Sequence, residues 1–297
     1  MRSHFLPNPR AAIACAVSGA AALMPGISSA RSAADFPTDP AYADGWQAGD
    51  NGGFGFTGWG FNGTYTSAVQ NNMSTSPYNA LGTPVWTLFN PVAPAHGSPN
   101  PPDTVPPTGD IVRAGRGIVG GLQIGQTFST TVDNPTERQF FKGYTIRLVS
   151  GGKNTEYNGT AVSRLAVGTF EYFSYGKWYA AGASNPGTTL FDTDTSAAGM
   201  RLDVTLTGAN TYSLTMTPLA NPLAAYSQSG TLAGTGTIDW IEYELYNTDS
   251  DWNPGVAPNP QNTDFYIGGM SIVPEPSSLA FFGLGSAGLL FMRRRKK

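Results

Sequence analysis

Between residues 111 and 272 apolar and polar side chains alternate with period two. In the clearest stretch Leu202, Val204 and Leu206 alternate with Asp203, Thr205 and Thr207, a Gly208-Ala209-Asn210 turn follows, and Tyr212, Leu214 and Met216 alternate with Ser213, Thr215 and Thr217. Successive side chains of a strand point to opposite faces, so this predicts a hairpin with one face on a core and the other in water. Leu122, Ile124, Phe128 and Val132 share one parity against Gln123, Thr127, Ser129 and Thr131, and Tyr144, Ile146 and Leu148 do so against Thr145 and Arg147. Residues 84–89, 165–175, 238–246 and 265–272 read as further strands, bounded by Gly, Pro, Asn or Asp. No sizeable amphipathic helix lies between them. Seven or more such strands predict an all-β chain in which two antiparallel sheets pack as one sandwich over residues 46–272.

Upstream the pattern changes. Residues 31–45 read as a linker, and residues 90–107, with seven prolines and His96, read as an ordered Pro-rich loop without a core of its own. Between them Trp46, Phe54, Phe56 and Trp59 are set among glycines, which permit positive φ and close backbone approach. Two roles suit these rings. Exposed, they and Trp240 would stack on the apolar faces of sugars; buried, they would plug one end of the sandwich.

The two ends of the chain carry different patterns. Arg2 and Arg10 precede an apolar stretch, residues 11–24, and a small-residue exit at Ser28-Ser29-Ala30, which predicts a signal peptide over residues 1–30 for signal peptidase. Cys15 leaves with it, and the mature chain then has no cysteine. At the other end, residues 273–297, Val273-Pro274-Glu275-Pro276-Ser277 forms a stiff, extended unit. An apolar run, 279–292, follows, broken by three glycines and shorter than the ~20 residues a full span needs. Arg293, Arg294, Arg295, Lys296 and Lys297 then stop transfer and stay cytoplasmic.

This tail resembles the PEP-CTERM sorting signal of Gram-negative bacteria that make extracellular polysaccharide. The resemblance implies an exosortase, a membrane-embedded cysteine protease or transpeptidase, as partner. It also implies an inner-membrane intermediate and final delivery to the outer surface or extracellular matrix. A second resemblance covers residues 45–272. The strand at 125–128, the hairpin at 205–215 and the closing Asp-Phe-Tyr-Ile at 264–267 follow in the order of secreted concanavalin-like jelly rolls. That resemblance implies carbohydrate contact.

Charge and inventory narrow the chemistry. Setting aside the seven cations of the two ends leaves 10 basic against 20 acidic residues in 31–275, which argues against nucleic acid as a partner. One histidine outside the signal peptide, His96, and no thiol exclude a cysteine nucleophile and a multi-ligand His/Cys zinc site. Gly115-Arg116-Gly117 beside Gly120-Gly121 lacks the strand-to-helix setting of a dinucleotide loop. Thr237-Ile238-Asp239-Trp240-Ile241-Glu242 resembles the Glu-x-Asp-x-x-Glu strand of some concanavalin-like glycosidases, with threonine in place of the nucleophile. Glu242 and Glu244 share a face with Trp240, at a spacing of about 7 Å; the plainer reading of that face is a solvated exterior. Asp192 and Asp194, with Asp249 and Asp251, form two loops that could supply calcium oxygens or simply favour turns. No catalytic set, other metal or cofactor is expected. The chain reads as a non-enzymatic surface or matrix component, with a lectin-like module and a carboxylate glycosidase as the alternatives.

Overall fold

The computed structural model describes residues 32–63, 72–73, 80–82, 84–89, 111–133, 142–152, 161–170, 177–182, 185–192, 199–247 and 264–274. The chain divides into two units, Met1–Ala30 and Arg31–Lys297, and every described residue belongs to the second.

The described strands are β1 (Ala33–Asp35), β2 (Gly60–Gly63), β3 (Asn72–Met73), β4 (Trp86–Phe89), β5 (Ile111–Gly117), β6 (Gln126–Asp133), β7 (Lys142–Ser150) and β8 (Val162–Phe170). They continue with β9 (Lys177–Gly182), β10 (Asn185–Asp192), β11 (Met200–Gly208), β12 (Thr211–Pro218), β13 (Tyr226–Thr231), β14 (Trp240–Asn247) and β15 (Asp264–Pro274). They form two antiparallel sheets. One runs β13-β12-β11-β6-β15-β4-β3, with β1 also on β15; the other runs β10-β9-β8-β7-β14-β5-β2. The architecture is a two-sheet antiparallel β-sandwich.

The alternation predicts the pairing well in the hairpin. Leu202 faces Met216, Val204 faces Leu214 and Leu206 faces Tyr212 across β11 and β12, and all six are buried. Each such side chain contributes roughly 1.5–3 kcal/mol of transfer free energy. One parity assignment needs correction. Ile124 is exposed, because β6 starts only at Gln126 and residues 123–126 form a turn in which Gly125 takes φ 78°. Thr130, in turn, points inward and its hydroxyl accepts a hydrogen bond from Tyr243 at 2.9 Å.

The glycine-rich aromatic segment belongs inside. Trp46, Phe56 and Trp59 are buried, and Trp46 meets Trp59 and Phe61 edge-on at 4.9 and 4.8 Å between centroids. Trp59 meets Trp86 of β4 at 5.1 Å, and Tyr42 meets the same ring at 5.3 Å. Edge-to-face packing of this kind adds about 0.5–1.5 kcal/mol per pair beyond burial. Gly53 explains the glycine content, since a Cβ there would lie 1.9 Å from the Ala34 carbonyl oxygen.

Residues 31–45 are likewise no linker. β1 pairs with β15, Ala33 opposite Ile272, and Asp35 and Tyr42 are buried. Their polar groups find partners in the core, which draws this segment into the sandwich.

Candidate functional site

β14 lies in the middle of its sheet, between β5 and β7. Ile241, Tyr243 and Leu245 point into the core, so Trp240, Glu242 and Glu244 project from the outer face. Pairing places Glu244 between Arg113 and Thr145, and Glu242 between Gly115 and Arg147. The expectation of a solvated face fails here: both carboxyls are buried, Glu242 at 1% and Glu244 at 0% exposure.

Two guanidiniums explain how Glu244 is tolerated. Arg113 Nε donates to one carboxylate oxygen at 2.8 Å and Arg147 Nε to the other at 2.6 Å. Charge-assisted bonds of this length are the strong class. Glu242 has less. Its Oε1 makes no hydrogen bond, with Arg113 Nε 3.7 Å away. Burial, the neighbouring Glu244 charge and a hydrogen bond with Glu244 push the Glu242 carboxyl up to about 9. At neutral pH it therefore holds its proton beside the Glu244 carboxylate. Beside the cluster, Thr145 and Tyr179 share a hydroxyl hydrogen bond of 2.7 Å, and burial raises the Tyr179 phenol.

The carboxyls bond to each other instead of standing apart. Glycosidases keep the pair about 5 Å or more apart, so that the scissile bond fits between them. Asp239, the other carboxylate of the strand motif, accepts from Gly152 N at 3.0 Å where β14 begins. It stands an odd number of residues from Glu242 and belongs to the opposite parity. Thr237 is exposed.

Of the five rings considered for sugar contact, Trp46, Phe56 and Trp59 are inaccessible in the core. Phe54 is 57% exposed at the far side of the glycine segment. Trp240 is half-buried, and its indole lies across two glycines of neighbouring strands. A Cβ on Gly115 would meet its Nε1 at 2.6 Å, and one on Gly60 would meet Cη2 at 3.9 Å. Of the calcium candidates, Asp194, Asp249 and Asp251 lie outside the described residues, and Asp192 is described only by its backbone pairing with Lys177. Among the described residues no cluster of three or more His, Cys, Asp or Glu side chains could hold a metal.

A second charged cluster lies between the sheets. Arg116 pairs with Asp35, donates from Nε and Nη2 to the Thr57 carbonyl at 2.9 and 2.6 Å, and from Nη2 to Asn51 at 2.5 Å. Its guanidinium carbon stands 5.0 and 4.8 Å from the Phe56 and Trp59 ring centroids. Tyr42 donates to Asp35 at 2.5 Å, and burial with the Asp35 contact pushes its phenol up to about 12.

The sorting motif starts where β15 ends, with Val273 opposite Thr127 and Pro274 opposite Gln126 of β6. Residues 273–296 match the family model of the PEP-CTERM protein-sorting motif. The chain carries a PEP-CTERM sorting signal. Such a signal marks an exported protein processed at the membrane of the Gram-negative envelope. Glu275, Pro276, Ser277 and the five terminal cations, Arg293 to Lys297, lie outside the described residues.

Among solved structures the sandwich is similar to the calcium-bound exoplasmic/lumenal domain of VIP36, with TM-score 0.42 and 7% identity over 73% of this chain and 83% of that one. It is also similar to metal-free lectin I-B4 from Griffonia simplicifolia, with TM-score 0.39 and 9% identity over 72% and 92%. Arcelin-5, a lectin-like defense protein from Phaseolus vulgaris, gives 0.41 and 11% over 82% and 96%. No curated protein matches the sequence.

Proposed function

We propose that this PEP-CTERM protein is trimmed at both ends, handed to an exosortase, and retained at the cell surface or in the extracellular matrix as a non-enzymatic structural component. The observation that carries the reading is the direct run of β15 into the sorting motif, which makes the sandwich the cargo of the signal. The carboxyl pair on β14 supports the non-enzymatic part, because Glu242 and Glu244 are buried and bonded to one another. Mass spectrometry of the native protein tests it. Mature, surface-located molecules should lack Arg293 to Lys297, and replacing Pro274, Glu275 and Pro276 by alanine should block that trimming while export continues. An intact basic tail on surface molecules would sink the proposal.

A second reading, carbohydrate contact, is favoured by one observation: the Trp240 indole laid over Gly115 and Gly60 on the outer face of the sheet. A ring in that pose can offer a face to a sugar. Tryptophan emission should then shift as extracellular polysaccharides are titrated, with or without calcium, and Trp240→Ala should remove the shift without unfolding the domain. Unchanged emission across the array would remove this reading.

A further inference from the structure

Both processed ends leave the sandwich at one place. β1 is antiparallel to β15, with Ala33 opposite Ile272, so the folded domain begins beside the point where the sorting signal departs. The signal's first residues, Val273 and Pro274, are still paired to β6, so no linker separates sheet from signal. Leu279, where the apolar run starts, is five residues past Pro274, and an extended chain covers at most about 18 Å in five residues. The headgroup layer takes up roughly 5–8 Å of that reach. With residues 279–292 in a bilayer, the Pro274 end of the sandwich is therefore held within roughly 10 Å of the headgroups.

That end is apolar. Phe54, Val119, Ile124 and Val273 are all exposed there. Backbone contacts tie them to the exit. Phe54 and Ala34 of β1 exchange hydrogen bonds of 2.9 and 3.1 Å, and Val119 N donates to Gly55 O at 2.9 Å. Ile124 stands two residues before Gln126, the partner of Pro274. Residues 32–34, 54–56, 117–127 and 271–274 contain no ionisable side chain, and Asp35, next along β1, is buried against Arg116. The mature part carries twice as many acids as bases, whereas this end is mostly uncharged, its nearest acid besides Asp35 being the half-buried Asp239, whose carboxylate accepts from Gly152 N and whose carbonyl accepts from Ile118 N at 2.8 Å.

We propose that this end of the sandwich rests on the bilayer that holds the C-terminal anchor, with Phe54, Ile124 and Val273 at headgroup level. Apolar and aromatic side chains gain from that interface. The exosortase then meets its motif against a folded domain already seated on the membrane. The inference rests on reading residues 273–297 as an anchored sorting signal.

The test uses the full chain with Cys15→Ala, reconstituted in phosphatidylethanolamine and phosphatidylglycerol vesicles. An environment-sensitive fluorophore is attached in turn through Phe54→Cys, Ile124→Cys, Leu223→Cys and Gly285→Cys. Labels at 54 and 124 should shift to the blue and lose several-fold more emission to a headgroup nitroxide than the label at 223, a residue 98% exposed outside the exit. Equal quenching at 54, 124 and 223, with the label at 285 quenched by an acyl-chain nitroxide, would overturn the inference and leave the anchor standing. An unquenched label at 285 would overturn both. Labels at 54 and 124 shielded without lipid, together with a doubled mass in solution, would assign the surface to a second copy of the chain and equally overturn it.

Discussion

Arg116 and Arg113 leave the same strand, β5, in opposite directions. Arg116 goes inward, opposite Ile241, and meets one carboxylate, one carbonyl, one amide and two aromatic rings. Arg113 goes outward, opposite Glu244, into a cluster of two guanidiniums and two carboxyls. Between the sheets, far from water, the charges match one to one. On the outer face, among the described residues, two guanidiniums surround two carboxyls that crowd each other, and burial beside Glu244 pushes the Glu242 carboxyl up to about 9. The inner cluster is a closed structural clasp between β1 and β5. The outer one retains a proton that can be titrated.

Four variants separate the two clusters. Arg116→Met should cost most, about 3–5 kcal/mol, because it leaves Asp35 buried without its cation; urea unfolding midpoints would show it. Glu244→Gln should cost less, about 2–3 kcal/mol, since Arg147 is 19% exposed and water can take over part of its charge. A loss in Glu244→Gln exceeding that of Arg116→Met would reverse the ranking of the clusters.

Glu242→Gln should act chiefly on pH dependence. The folded state binds the Glu242 proton more tightly than the unfolded chain, so wild-type stability should fall as pH rises from about 4.5 to about 9. The slope from this group is at most about 1.4 kcal/mol per pH unit. In Glu242→Gln the melting temperature should be flatter across that range and higher than wild type at its alkaline end; an unchanged slope would mean that Glu242 ionises normally. Tyr42→Phe should cost about 1–2 kcal/mol, because no buried charge loses its counter-ion although the hydroxyl that accepts from Trp59 Nε1 at 3.1 Å and Gly52 N at 3.2 Å and donates to Asp35 is gone.

The sandwich was legible because alternation is local. Leu202 to Met216 declare their facing with no knowledge of the rest of the chain, and the sorting signal is a contiguous string. The charged clusters are assembled across strands, and there the sequence is less explicit. Arg116 shares its buried face with Val112 and Ala114, an alternation that was not legible in that glycine-rich stretch, and nothing nearby in sequence pointed to Asp35. Glu242 and Glu244 looked like an exterior pair because their cover, Arg113 and Arg147, comes from β5 and β7. The rings at 46, 56 and 59 allowed two roles, and Trp86 of β4 and Arg116 of β5, distant in sequence, are what hold them inside.

The position of β15 also sets an order of events. It is the last of the described strands in chain order, yet it lies within its sheet, flanked by β6 on one side and by β4 and β1 on the other. Until it arrives, those strands present open edges across a missing neighbour, while a local hairpin such as β11–β12 can form at once. Sheet closure therefore waits for residues 264–274, and the apolar run of the sorting signal starts only five residues later. Completion of the sheet and arrival of the sorting signal become nearly simultaneous, so a chain that stalls before residue 264 has neither a complete sheet nor a sorting signal.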